Sequence, residues 1–268
     1  MSRTLLIAAL ALTLAGSAAA PRAAAPAPIL PVLVELFTSE GCEDCPPADK
    51  VLEQLIAAQP VSGGEVIGLG EHVDYWDQLG WKDRFSSHAL TARQGLYAAR
   101  FANDSIYTPQ MVVDGRSEFV GSDAAAARRA IGKAIAQPHG VVRITLNDRS
   151  AESLALQPPA LRVNLTVTDL PKITRGDQAD IIVAITEDGL RTDVKRGENK
   201  GRVLTHAAVA RYMATIGEAA DGSASASADI ALAPDWQRDR LKVIAFVQER
   251  KSRQILASAS TALKNIRP

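Results

Sequence analysis

No excess of either charge is present: 30 basic residues meet 30 acidic ones in a chain of 268. No basic stripe interleaved with aromatics is visible either, so the electrostatic footprint that nucleic-acid binding needs is missing. Aromatic residues are scarce, at 4%, which makes the closeness of two of the three tryptophans, Trp76 and Trp81, informative. Long apolar runs are missing but for one, over residues 5–15. It is shorter than the roughly 20 residues a membrane-spanning helix requires. It follows Arg3 and ends in small residues, so residues 1–20 read as a cleavable secretory signal, with no membrane span left after cleavage. No cysteine follows that run, which removes lipoprotein anchoring. Cysteine is the rarest absence of all, because the whole chain has two.

Residues 21–31 are rich in proline and alanine and read as an extended linker. Folding is expected to start with a short β-prone strand over 32–37, and a loop over 38–41 then leads to the cysteines. Val51, Leu52, Leu55 and Ile56 recur at helical spacing behind Pro46 and Pro47, which suit a first turn. A second strand over 65–73 and a second helix over 87–102 follow, with Leu90, Tyr97 and Phe101 on one face. Next come a hairpin of 110–113 and 117–120 turning at Asp114-Gly115, and a third helix opened by Asp123. From Val141 onward the apolar residues alternate: Leu161, Val163, Leu165 and Val167; Ile181, Val183 and Ile185; Leu241, Val243, Ala245 and Val247. Period two marks half-buried strands, so residues 141–268 are expected to form a smaller all-β, sandwich-like domain. The Ala- and Ser-rich stretch 219–228 reads as a loop, and the basic run Lys195, Arg196, Lys200 and Arg202 as a solvated loop without a role.

Cys42 and Cys45 are spaced Cys-x-x-Cys between a predicted strand and a predicted helix, the context that makes the motif specific for redox chemistry. Unpaired N–H groups and the macrodipole at a helix start favour a thiolate. Cys42, coming first, is expected at an exposed turn as the attacking thiol, and Cys45 then closes onto the mixed disulfide and releases the product. Three alternatives stand beside this. A purely structural disulfide with two intervening residues constrains little unfolded-chain entropy. A zinc site would want two more ligands, and His72, His88, His139 and His206 are scattered. Copper(I) is selected by thiolates, with His72 as a further donor. Glu43 and Asp44, between the cysteines, disfavour the thiolate and make the disulfide harder to reduce, which suits a reductant or isomerase better than a strong oxidant.

The strand, the Cys-x-x-Cys pair and Thr108-Pro109 before a later strand resemble a thioredoxin fold. That resemblance implies a thioredoxin-like α/β domain over 32–138 and a cis-proline at 109 facing the pair. It also implies that the backbone of Thr108 offers strand-like hydrogen bonds to a substrate. A trans proline opening a strand is the alternative. Glu35 matches the buried carboxylate that serves as general base in thioredoxins, although the following loop is one residue longer and strand alternation equally allows a surface position.

Longer strings are more distinctive: Glu35-Leu-Phe-Thr-Ser-Glu-Gly-Cys42, Cys45-Pro-Pro-Ala-Asp49, His72-Val-Asp-Tyr-Trp-Asp77, Leu79-Gly-Trp-Lys-Asp83, Tyr107-Thr-Pro-Gln-Met-Val-Val-Asp-Gly115 and Gly197-Glu-Asn-Lys-Gly-Arg202. They resemble the secreted bacterial thioredoxin-like family catalogued as domain of unknown function 1223 (DUF1223), which has no assigned substrate. Trp76 and Trp81 then either wall a substrate site or fix a loop, and His72, Asp74 and Asp77 form a local hydrogen-bond network. The expected function is a periplasmic or secreted thiol-disulfide oxidoreductase. It would exchange electrons with protein or small-molecule thiols and disulfides and with a redox partner protein, and it would need neither cofactor nor metal. The rival is a non-catalytic thioredoxin-fold binding protein such as a copper(I) carrier.

Overall fold

The computed structural model describes residues 29–148 and 160–265, so the expected signal segment and all but the end of the expected linker lie outside the described residues. β1 (Leu30–Thr38) is buried from Val32 on and apolar there apart from Glu35 and Thr38, as suits a strand covered on both faces. It begins at Leu30, and Leu30 and Pro31 pair with Gly64 and Glu65, so the end of the expected linker is strand. α1 (Cys45–Ala58) follows, and then β2 (Gly64–His72), parallel to β1. α2 (His88–Phe101) is capped by Ser87, whose side chain accepts from the Ala89 N–H. β3 (Gln110–Val113) runs antiparallel to β1 and to β4 (Ser117–Val120). The hairpin turns on Asp114 and Gly115, with φ of 50° and 62°, the double positive φ that a tight hairpin requires. A Cβ at Gly115 would lie 1.8 Å from the carbonyl oxygen of Arg253, so glycine is dictated twice. α3 (Ala124–Ile135) is capped by Asp123.

The remainder is β: β5 (Val141–Asp148), β6 (Ala160–Leu170), β7 (Ala179–Glu187), β8 (Leu190–Asp193), β9 (Val203–His206), β10 (Val209–Ala219), β11 (Gly222–Ala231), β12 (Leu241–Glu249) and β13 (Ile255–Ala262). The stretch 219–228, expected as a loop, is mostly β11, paired to β6. Ala224, Ala226 and Ala228 pack on the core while Ser223, Ser225 and Ser227 face solvent, a period-two pattern written in residues too small to look like a strand.

One eight-stranded sheet, ordered β13-β12-β7-β10-β2-β1-β3-β4, runs through the molecule, accompanied by a three-stranded sheet β11-β6-β5 and the hairpin β8-β9. It does not stop at the boundary expected at 138–141. β10 lies beside β2 at Val209 and Gly70, and the Gly70 N–H donates to Ala208 O at 2.7 Å. A Cβ at Gly70 would press on the carbonyl oxygens of Ala207 and Ala208 at 3.2 and 3.3 Å, so a side chain there would push the join apart by a few tenths of an ångström.

Three apolar layers result. Leu161, Val163, Leu165 and Val167 of the small sheet pack on Ile181, Val183, Ile185, Val243 and Val247 of the large one. Val32, Val34 and Leu36 face α1 and α3, whereas Leu33, Ile67 and Leu69 face Leu90 of α2 and residues of β7 and β12. Even positions of β1 therefore look toward the helix that carries Cys45, and odd positions look away from it.

Candidate functional site

β1 ends at Thr38 and the chain turns through residues 39–44 into α1. The turn is tied by Cys42 N–H to Ser39 O (3.2 Å) and Cys45 N–H to Cys42 O (3.3 Å). Cys42 and Cys45 form a disulfide with Cα atoms 5.4 Å apart, and Cys45 is the first residue of α1. Asp44 occupies the capping position without making a side-chain cap. Pro46 and Pro47 remove two N–H groups from the first turn, so the helix start brings its dipole to the pair with fewer donors than usual.

Cys42 was expected at an exposed turn, yet it is 1% exposed and Cys45 0%. The cover is the loop 197–202, to which the basic run had assigned no role. The buried Asn199 amide donates to Glu40 O and Cys42 O, both at 2.9 Å, and its Oδ1 accepts from Arg202 at 2.7 Å. The Glu43 N–H donates to Glu198 Oε2 at 3.2 Å. A loop more than 150 residues downstream thus seals the cysteine turn. Glu43 and Asp44 remain exposed.

Trp81 works from behind. Its Nε1–H donates to Glu40 Oε2 (2.8 Å), and a Cβ at Gly197 would lie 2.9 Å from its Cβ, so it fixes the sealing loop. Trp76 is half-buried, lies against Gly41 and donates to Thr108 Oγ1 at 2.8 Å. The Thr108-Pro109 peptide bond is cis. Pro109 and Ala48 of α1 both reach the space beside Gly121, at 3.3 and 3.0 Å from a Cβ placed there, which sets the proline next to the first turns of α1. Trp76 thus links the cysteine turn to Thr108, and Pro109 lies along the same helix, α1, that Cys45 opens.

Glu35 is not with them. As an odd position of β1 it points to α2, where Arg93 forms an ion pair with it and the Tyr97 hydroxyl donates to it. The one extra residue between Glu35 and the cysteines matters because a slip of one along a strand changes the face. A buried carboxylate on the helix side of the cysteines is Asp49, one helical turn after Cys45. It accepts from Thr38 Oγ1 at 2.9 Å and lies 3.6 Å from His206 Nδ1. Burial pushes its carboxyl up, against the pull of His206 and His72. Its helical i, i+4 spacing from Cys45 was a readable signal for it.

His206 Nε2 is 3.4 Å from Glu40 Oε1, and neither atom has a hydrogen-bond partner. The His206 ring meets His72 edge to face at 4.8 Å. His72 is bonded to Asp83 at 2.6 Å, and Asp83 also accepts from the Glu40 N–H at 2.9 Å. Burial drags the His72 imidazole down, but the Asp83 carboxylate overcomes this and holds it above its ordinary value. His72 thus sits in a local network with Asp83, which is joined in turn to Asp77. Asp74 instead binds Thr91. Among the described residues no group of three or more His, Cys, Asp or Glu is arranged to hold a metal ion.

Among curated proteins nothing matches the chain. Of solved structures, a protein of Agrobacterium tumefaciens determined by X-ray crystallography is similar at 23% identity and a TM-score of 0.65, over 91% of this chain and 99% of that one. The likeness shows a shared mixed α/β fold. A β-glucuronidase of Bacteroides uniformis is similar at 14% identity over 46% of this chain and 14% of its own, and its TM-score of 0.22 carries no weight. Residues 33–248 match the family described as "Protein of unknown function (DUF1223)", and the chain belongs to that family.

Proposed function

We propose that this protein is an exported, thioredoxin-like thiol-disulfide oxidoreductase whose redox centre is Cys42 and Cys45. The observation that carries the reading is the Cys-x-x-Cys disulfide at the first turn of α1, with Trp76 against the adjoining Gly41 and bonded to Thr108, and Pro109 beside the helix at Gly121. In the reduced protein the Cys42 thiolate attacks a substrate disulfide and expels one thiol. Cys45 then attacks the mixed disulfide and releases the second, so two electrons pass to the substrate and the 42–45 disulfide forms again. A partner thiol recharges the pair by the reverse exchange. The edge of Thr108 supports substrate backbone, and the half-buried Trp76 offers it an apolar wall. Glu43 and Asp44 beside the pair, and Pro46 and Pro47 in place of helix-start donors, favour a reductant or isomerase over a strong oxidant.

Burial of both cysteines favours a second reading, in which the disulfide is structural and the fold serves binding alone. Cys45→Ala expressed in the exporting host distinguishes them. Mixed disulfides trapped on Cys42, together with reversible cycling of the wild-type pair in thiol buffers, are expected. If no adduct forms and the pair stays oxidised through strongly reducing buffers, the enzymatic reading fails.

A further inference from the structure

Away from the disulfide, a groove runs around the free edge of the large sheet, between β4, α3 and the end of α2. It consists of two cavities of about 310 and 420 Å³ that share Arg116, Ser117, Ala130 and Lys133. Arg100 closes the first and Arg129 the second. The first has no carboxylate in its lining; the second has one, Glu118, whose Oε2 accepts from the Tyr107 hydroxyl and the Gln110 amide, so the first cavity is the more cationic of the two.

Arg100 and Arg116 are held in place without being neutralised. Arg100 donates to the Ser252 carbonyl at 2.7 Å, and Arg116 donates to the Gln254 side-chain oxygen, both uncharged acceptors. Among the described residues neither they nor Arg129 and Lys133 form an ion pair. The Asp114 carboxylate, within electrostatic reach of Arg116, is taken up by the Leu33 N–H (2.9 Å) and His139 (2.7 Å). A second observation is independent of the charge count: the Arg116 guanidinium bonds the Gln254 oxygen through Nη1 alone and its Nε has no hydrogen-bond partner, so its donor set is incomplete. A desolvated guanidinium donor without a partner is costly, and a bidentate oxyanion is the group that guanidinium geometry matches best.

We propose that this groove binds a phosphate-class oxyanion, gripped by Arg116 with Arg100 and Lys133 around it and with the Ser117 hydroxyl as a neutral donor. The volume exceeds that of a bare phosphate and leaves room for the organic part of a phosphate ester or a lipid head group.

Calorimetric titration of the full chain with pyrophosphate at low ionic strength tests this. One saturable site is expected, weakened at least tenfold in Arg116→Met and in Lys133→Met. Arg128→Met, on α3 but not in the lining, should leave it unchanged. Because Lys133 is exposed, its variant keeps the test sound if Arg116→Met misfolds. No saturable binding, or equal weakening in Arg128→Met, overturns the proposal. Flotation with phosphatidylglycerol against phosphatidylcholine vesicles separates the sources. Anionic-vesicle binding displaced by pyrophosphate identifies a head group, and pyrophosphate binding without vesicle binding identifies a soluble ester.

Discussion

Asn199 is fully buried in a loop between charged neighbours, and the three hydrogen bonds of its side chain are with Glu40 O, Cys42 O and the Arg202 guanidinium. Asn199→Ala would strand the buried Glu40 carbonyl, leave Cys42 O with the Cys45 N–H alone and release Arg202, at a cost of about 1–3 kcal/mol in stability. The same change unties the cover of the disulfide, so reduction by dithiothreitol is expected to accelerate roughly tenfold or more, since each lost bond is worth about 1 kcal/mol. Quenched-flow counting of thiols measures this, and an unchanged rate would show that the loop does not gate the pair. On the other face of the sheet, Glu71 of β2 is buried with one oxygen unpaired. Burial pushes its carboxyl well above the ordinary 4.5; Arg93 pulls it back, and the neighbouring Glu35 adds to the push. The folded chain thus keeps a proton that the unfolded chain loses near pH 4.5. The resulting stabilisation is complete below that value and declines by about 1.4 kcal/mol per pH unit as pH rises toward the folded pKa. Glu71→Gln removes the declining limb. Denaturant titrations from pH 4 to 8 are expected to give a flatter profile for the variant and at least equal stability at neutral pH.

At the scale of elements, the first turn of α1 sets how readily the disulfide accepts electrons. Glu43→Gln with Asp44→Asn removes two exposed carboxylates beside the pair and should raise its reduction potential by roughly 10–30 mV, a shift equivalent to a few-fold to tenfold in equilibrium. Because both side chains face solvent, the difference should shrink as salt is added. Equilibration against glutathione at two ionic strengths checks both statements, and a potential that falls on neutralisation would reverse the assignment of these residues. The order of elements up to α3 was legible because the helices have an apolar period and the elements have recognisable boundaries: Pro46-Pro47, Ser87 and Asp123 at helix starts and Asp114-Gly115 at the hairpin turn. β11 was not, since Ala224, Ala226 and Ala228 carry the right period with too little hydrophobicity to register. The cover over Cys42 was out of reach in a different way. The string Gly197-Glu-Asn-Lys-Gly-Arg202 looks like any polar loop, and its use depends on a tertiary contact across 157 residues. For Glu35 the local signal was real but its face hung on a one-residue difference in loop length, which periodicity alone does not resolve.

At the scale of the whole molecule, the two halves of the chain are mechanically and chemically one. The sheet crosses between them at Gly70 and Val209, and the cysteine turn from the first half is closed by Asn199 from the second. The Glu35–Arg93 pair is completed by Gln248, which accepts from Arg93 at 2.8 Å. The face of β1 and β2 that carries Leu33, Ile67 and Leu69 is covered by Ile182, Ala184, Ile244 and Phe246 as much as by α2. Residues 29–138 expressed alone would therefore expose an apolar face and leave Arg93 short of a buried partner, costs that no local rearrangement offsets. Such a fragment is expected to bind a hydrophobic dye, lose its near-ultraviolet circular dichroism and melt without cooperativity, with its disulfide reduced far faster than in the full chain. Adding residues 160–265 as a separate chain should restore part of the protection by re-forming the sheet and the loop over Cys42. Cooperative melting of the isolated fragment at the full-length temperature, with the disulfide still protected, would mean that the first half folds and seals its site unaided.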